Sequence, residues 1–183
     1  KPTDSIIYYK HMLQTGMMAM EPRSGHIKAW VGGVNYKYFQ YDHVGQGARQ
    51  VGSTFKPFLY ATAIEQLGMS PCDSIIDSYF TMPKGKWGID ADWSPKNSDG
   101  NYRGTITLQK ALANSINTVS AKLIDRVGPK AVVDMAKELG VTSDIPEQPS
   151  IALGAVDITV EQMVGAMSTF ANQGVYVKPT FII

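Results

Sequence analysis

Apolar and polar positions along the chain predict a strand pair near the start and helices over most of the remaining length. Met17 to Met20 and His26 to Val31 are short apolar-rich runs, and Glu21-Pro22-Arg23-Ser24-Gly25 between them holds the Pro and Gly that turns use. A β-hairpin is therefore predicted. In its second strand Ile27, Ala29 and Val31 alternate with His26, Lys28 and Trp30, which sets one face to be buried and the other to be partly covered. Ser53 to Leu67 reads as a helix after Gly52, with Pro57 tolerated in its first turn and Gly68 just past its end. Its predicted apolar face is Phe58, Leu59, Ala61, Ile64 and Leu67.

Thr107 to Val127 is again helical in pattern, but Asn114, Ser115, Asn117 and Thr118 compete for backbone hydrogen bonds and predict a break near Ser115 to Asn117. Gly128-Pro129 ends that helix and starts another, Lys130 to Leu139, closed by Gly140. Thr159 and Gln162 form a capping box for a last helix with Met163, Val164, Met167 and Phe170 on its core face. Val175 to Ile183 is extended. Asp4 to Leu13 is a connecting segment or short helix without a clean period. From Met69 to Tyr102, Pro71, Pro83, Gly85, Gly88, Pro95 and Gly100 preclude long elements, leaving a surface loop pinned by Trp87 and Trp93. Tyr36, Tyr38, Phe39 and Tyr41 fall in a connecting segment, where rings pack down on a core more often than they line a groove.

A length of 183 residues, 44% hydrophobic and 18% charged, suits one domain with a real core. The net charge of +1 comes without any basic run, so nucleic acid is not expected as a partner. The lone Cys72 forms no internal disulfide and reads as a small, partly buried side chain near a helix end. Three histidines at unrelated spacings do not make a metal site, and no metal or other cofactor is expected. No segment approaches the roughly 18 apolar residues that span a bilayer, and Lys1-Pro2-Thr3-Asp4 does not resemble a signal peptide, so the chain as given is expected to be soluble.

The chemistry-bearing stretch is Arg49-Gln50-Val51-Gly52-Ser53-Thr54-Phe55-Lys56-Pro57-Phe58. Residues three apart on a helix share a face, so the Lys56 amine can reach the Ser53 hydroxyl, and the helix N-terminus favours negative charge there. This is the arrangement of a serine nucleophile with a lysine base. Thirteen Ser and thirteen Lys would give about one Ser-x-x-Lys by chance, and Ser is a favoured N-cap, so the spacing needs context. Ser115 and Asn117 add another hydroxyl and a carboxamide two residues apart.

Ser-x-x-Lys followed by Ser-x-Asn is the order of motifs in penicillin-binding proteins and class A β-lactamases. Arg49 to Phe58 closely resembles the serine segment of class A penicillin-binding proteins, and Gly104 to Leu112 with Ser115-Ile116-Asn117 resembles their second motif and its lead-in. Ile151-Ala152-Leu153-Gly154 and Phe170-Ala171-Asn172-Gln173-Gly174 resemble the helical region after it. The resemblance covers nearly the whole chain. It implies an α/β transpeptidase fold of the penicillin-binding-protein and β-lactamase type, an antiparallel sheet flanked by helices, with its C-terminal strands absent from this chain. Residues 1–183 are then a partial transpeptidase domain without the parent's membrane anchor and glycosyltransferase domain, and the parent works at the periplasmic or extracytoplasmic face of the bacterial cell membrane. Without further strands the hairpin would keep an open edge, and a chain ending at Ile183 is expected to be poorly stable.

The implied reaction is D,D-transpeptidation. Ser53 attacks the D-Ala-D-Ala end of a peptidoglycan stem peptide, D-Ala leaves, and an amine from a neighbouring stem completes the cross-link; β-lactams trap Ser53 instead. Lys56 acts as base only when neutral, so its pKa must be lowered by burial or by nearby cations. Ser115 relays a proton to the leaving nitrogen, Asn117 binds the substrate backbone, and the Ser53 amide gives half of the oxyanion hole. The resemblance also places Trp93 to Arg103 along the substrate cleft. One departure stands out: no Lys-Ser/Thr-Gly occurs in the chain, and truncation before that third motif is the expected reason. Two alternatives remain, a serine β-lactamase with fast deacylation and a non-catalytic peptidoglycan-binding or β-lactam-sensing module.

Overall fold

The computed structural model describes residues 2–181. Its elements group into two units, Lys1–Ala48 with Thr159–Ile183, and Arg49–Ile158.

In the first unit, helix α1 (Thr3–His11) precedes the predicted hairpin, strands β1 (Met17–Met20) and β2 (Ile27–Val31). The strands pair antiparallel, Met18 opposite Trp30 and Ala19 opposite Ala29, with an irregularity between Ala19 and Met20. The burial is shallower than the alternation implied. Met18 is the buried member, whereas Val31 stands 47% exposed. Helix α6 (Val160–Ala171) lies on β1, and Thr159 caps it by accepting the Gln162 amide at 3.3 Å. Its buried face is Gly165, Ala166, Ser168 and Thr169, while Met163, Val164 and Met167 are half-buried and Phe170 is exposed. The small residues win because the chain crosses there: a Cβ on Gly165 would meet Pro179 at 3.1 Å. The extended tail bridges His26 through Thr180, and the Ile182 and Ile183 part of that expectation lies outside the described residues.

The aromatic segment does not pack down as predicted. Tyr36 and Tyr38 are 77% and 64% exposed, Tyr41 is exposed, and Phe39 alone is half-buried. Local bonds occupy this segment instead, Tyr41 donating to the Gln46 carbonyl and stacking edge-on with His43.

The second unit holds strands β3 (Arg49–Gln50), β4 (Ser74–Asp77), β5 (Gly104–Thr107) and β6 (Asp157–Ile158), with helices α2 (Lys56–Leu67), α3 (Leu108–Ala113), α4 (Asn117–Val127) and α5 (Pro129–Glu138). β3 pairs with β6 and β4 with β5, both antiparallel, so among the described residues the strands form three two-stranded ladders in place of the single sheet expected. The core is helical. Helix α2 packs against α4 and α5, and α4 against a 3-10 turn at Pro149–Leu153, around Phe55, Phe58, Leu59, Val119, Leu123, Ile124, Val132 and Ile151. Each such side chain contributes about 1.5–3 kcal/mol when fully buried.

Helix α2 turns a different stripe inward from the one predicted. Phe58, Leu59, Tyr60, Thr62 and Ala63 are buried, while Ile64 and Leu67 are each 42% exposed. Gly68 ends it in the left-handed conformation at φ 61°. Cys72 is exposed rather than partly buried, in the turn that leads into β4. Among the described residues no helix is long and apolar enough to cross a membrane.

Candidate active site

The serine turn is built from backbone first. β3 pairs Arg49 with Ile158 and Gln50 with Asp157, and the ladder continues as the Val51 amide donates to the Val156 carbonyl at 3.0 Å and the Gly52 amide to the Gly154 carbonyl at 3.1 Å. Gly52 then takes φ 55°, and Gly52–Phe55 coils as a 3-10 turn that runs into α2. The Lys56 amide donates to the Ser53 carbonyl. In 3-10 geometry side chains at i and i+3 eclipse, so Ser53 and Lys56 project to the same side of the turn. They differ in depth, since Ser53 is exposed and Lys56 is 1% exposed. The coil is tighter than the ordinary helix expected there, and among the described residues the Ser53 hydroxyl makes no hydrogen bond, the Lys56 amine being engaged by Ser115 and Asn117 instead.

Lys56 Nζ meets three neutral oxygens: the Ser115 carbonyl at 2.7 Å, Ser115 Oγ at 3.0 Å and Asn117 Oδ1 at 2.8 Å. An ammonium has three N–H donors, and these partners use all of them. None carries a charge to offset desolvation, and burial lowers the Lys56 pKa to about 8. About a tenth of the amines are thus neutral at pH 7.

The predicted break between α3 and α4 is what brings Ser115 there. Its amide donates to the Leu112 carbonyl, and its backbone takes φ 53°, the left-handed region that costs a non-glycine residue roughly 1–2 kcal/mol. That conformation turns both its carbonyl and its hydroxyl onto one amine. Asn117 starts α4 two residues later, with its Nδ2 on the Lys96 carbonyl at 2.9 Å and its Oδ1 on Lys56.

Helix α4 is capped from a distance rather than by its own neighbours. Asn97 Oδ1 accepts the Asn117 amide at 3.0 Å and the Thr118 amide at 3.2 Å. Beneath it Asp77, fully buried, accepts from Asn97 Nδ2, the Thr118 hydroxyl and the Arg103 amide. Burial raises the Asp77 pKa, but those hydrogen bonds and the Arg103 charge outweigh it and hold the carboxyl below its ordinary value. Sequence reasoning assigns no individual role to Asp77 or Asn97, whose bonds to each other and to the first turn of α4 span 20 to 41 residues and leave no local pattern. Trp93, half-buried, pairs its backbone with Met82 through two 2.9 Å bonds and so pins the loop that carries Lys96 and Asn97. Among the described residues no group of three or more His, Cys, Asp or Glu side chains could hold a metal ion.

The family model for the penicillin binding protein transpeptidase domain matches residues 15–183. The chain belongs to that family. It is 38% identical over 173 residues to penicillin-binding protein 1A of Aquifex aeolicus, covering 93% of this chain and 23% of that protein. The crystal structure of penicillin-binding protein 1A from Haemophilus influenzae superposes with a TM-score of 0.85 at 28% identity, covering 91% of this chain and 24% of that one. The PonA1 protein of Mycobacterium tuberculosis in complex with penicillin V gives a TM-score of 0.76 at 27% identity over 96% of this chain and 49% of that one. The transpeptidase fold expected from the motifs is therefore the fold observed. The chain spans about a fifth of the length of the curated relatives it matches.

Proposed function

We propose that this chain supplies the serine acyl-transfer site of a peptidoglycan D,D-transpeptidase. The carrying observation is the buried Lys56 amine, with a pKa near 8, held on Ser115 and Asn117 three residues after an exposed serine. In this reading neutral Lys56 takes the Ser53 Oγ proton as Oγ bonds to the carbonyl carbon of the penultimate D-Ala. The Ser53 amide, which carries no hydrogen bond among the described residues, donates to the developing oxyanion. The C–N bond then breaks, and the proton passes from Lys56 through the Ser115 hydroxyl to the departing D-Ala nitrogen. An amine of a second stem peptide attacks the ester carbonyl, gives up its proton by the reverse route and releases Ser53.

Asn117 has a second task on this scheme: its carboxamide, already fixed by Lys96, orients the substrate backbone. Trp93 is proposed to border the same cleft. The reading also makes the chain one part of a longer protein, with a membrane anchor and a glycosyltransferase domain, working outside the cytoplasm and binding β-lactams in place of the stem peptide. Labelling the full-length protein with a fluorescent penicillin tests the nucleophile. Ser53→Ala is expected to abolish labelling, and labelling that survives it overturns the assignment.

A further inference from the structure

Asn97 is buried in a loop, touches neither Ser53 nor Lys56 in the hydrogen-bond pattern, and yet uses every polar valence of its side-chain amide. Its Oδ1 accepts two backbone amides, Asn117 and Thr118, and its Nδ2 donates to Asp77 Oδ1 at 2.9 Å and to the Asn101 carbonyl at 2.8 Å. A primary amide offers two N–H donors and two acceptor lone pairs, so the set is complete. Its orientation is also determined chemically. A carboxylate only accepts, hence the NH2 must face Asp77 and the oxygen must face the first turn of α4. The residue before it repeats the device, because the Lys96 carbonyl accepts Asn117 Nδ2 and forces Asn117 Oδ1 to point at Lys56.

We infer that Asn97 is a positioning residue of the acyl-transfer site, locking the first turn of α4 so that Asn117 and Ser115 stay on the Lys56 amine, and that Asp77 fixes the Asn97 amide in the only orientation that does so. The inference rests on the transpeptidase reading above and adds to it. A two-residue stretch of loop, Lys96-Asn97, grips Asn117 by side chain and by backbone together. Ser115 lies just ahead of that grip in a left-handed conformation that a loose α4 would not maintain. The loop is itself held, by the Trp93 pairing with Met82 and by the turn in which the Gly100 amide returns to the Asn97 carbonyl at 3.0 Å. Misplacing a proton-transfer group by about 1 Å costs on the order of 100-fold in rate, so small loosening is visible in kinetics.

The test measures two quantities on the full-length protein with a fluorescent penicillin: the second-order acylation rate constant and the fraction labelled at saturation. For Asn97→Ala the rate constant is expected to fall tenfold or more while most molecules still label. A merely structural residue would do the opposite, lowering the labelled fraction and the melting temperature and leaving the survivors at the wild-type rate. Exchange of the two groups gives a second reading if Asn97→Ala does not fold. Asn97→Asp keeps an acceptor for the α4 amides but sets a carboxylate against Asp77, and it is expected to be slow. Adding Asp77→Asn restores one carboxylate facing one amide, giving up the bond to the Asn101 carbonyl, and is expected to recover at least threefold. A rate for Asn97→Ala within twofold of wild type, or a double variant no faster than Asn97→Asp, overturns the inference. If Ser53→Ala still labels, the transpeptidase reading fails instead; if Ser53→Ala is silent and Asn97→Ala is unimpaired, only the positioning role fails.

Discussion

Gly154 lies directly against the carbonyl of Gly52. A Cβ built on Gly154 would sit well inside van der Waals contact with the Gly52 oxygen, and the residue also holds φ 75°. The Gly52 amide bonds to the Gly154 carbonyl in the same contact, so the serine turn and the segment before β6 are fastened with no room for a side chain.

Gly154→Ala is therefore expected to destabilise by more than the roughly 1–2 kcal/mol that left-handed backbone costs a non-glycine residue, because the turn must also move. Ser53 would shift with it. Gly52→Ala has open space around its Cβ and is expected to cost only the backbone term. Thermal melts of both variants check the order: equal losses would contradict a role for the close approach.

What the sequence makes legible here is local. The helical turn over Ser53 to Lys56, the break expected near Ser115 to Asn117 and found at Asn114 to Ile116, the glycine stop at Gly68 and the Thr159 cap each come from interactions within one turn, and each is present. The Gly154 contact, the Asn97 cap and the burial of Asp77 depend on segments far apart in the chain, so no periodicity records them. Apolar pattern also overstated burial. Ile64, Leu67, Phe170, Tyr36, Tyr38 and Tyr41 are apolar or aromatic but exposed, since hydrophobicity says which faces could be covered and only packing says which are. Strand β4 is hidden for a related reason: its partner β5 lies beyond the Pro- and Gly-rich loop, so no tight turn marks the pair as one marks β1 and β2.

Asp77 predicts a specific acid sensitivity. Its carboxyl is held below the ordinary value of 3.8, so the folded state binds its proton less readily than the unfolded chain. The stability it contributes is complete above that value and is lost as pH falls through the lower, folded one. Asp77→Asn is expected to flatten the fall of melting temperature below about pH 4. Asp77→Ala, which strands the Asn97 amide, the Thr118 hydroxyl and the Arg103 amide in a buried site, is expected to cost about 3 kcal/mol or more at neutral pH. A melting temperature within a degree or so of wild type would show those groups to be satisfied another way.

Tyr36 and Tyr38 lead to the contrary expectation. Exposed at 77% and 64%, they bury too little to hold the fold, and Tyr36→Ser or Tyr38→Ser should leave stability within about 0.5 kcal/mol. A loss of about 2 kcal/mol in denaturant titration would place them in a core after all.

On the proposed mechanism, Lys56 ties stability to catalysis through one proton. Its ordinary pKa of 10.5 falls to about 8 on burial, so between those values the unfolded chain holds a proton that the folded one has released. Stability from this group therefore rises with pH through that window, by ~3 kcal/mol in all, and the penalty is full below pH 8. The acylation rate should track the neutral amine: a tenfold rise per pH unit from 6 toward 8, then a plateau. Lys56→Met removes both effects at once, flattening the stability profile above pH 8 and abolishing acylation. Penicillin acylation that is level from pH 6 to 9 in the unaltered full-length protein would mean that Lys56 does not act as the base, however deeply it is buried.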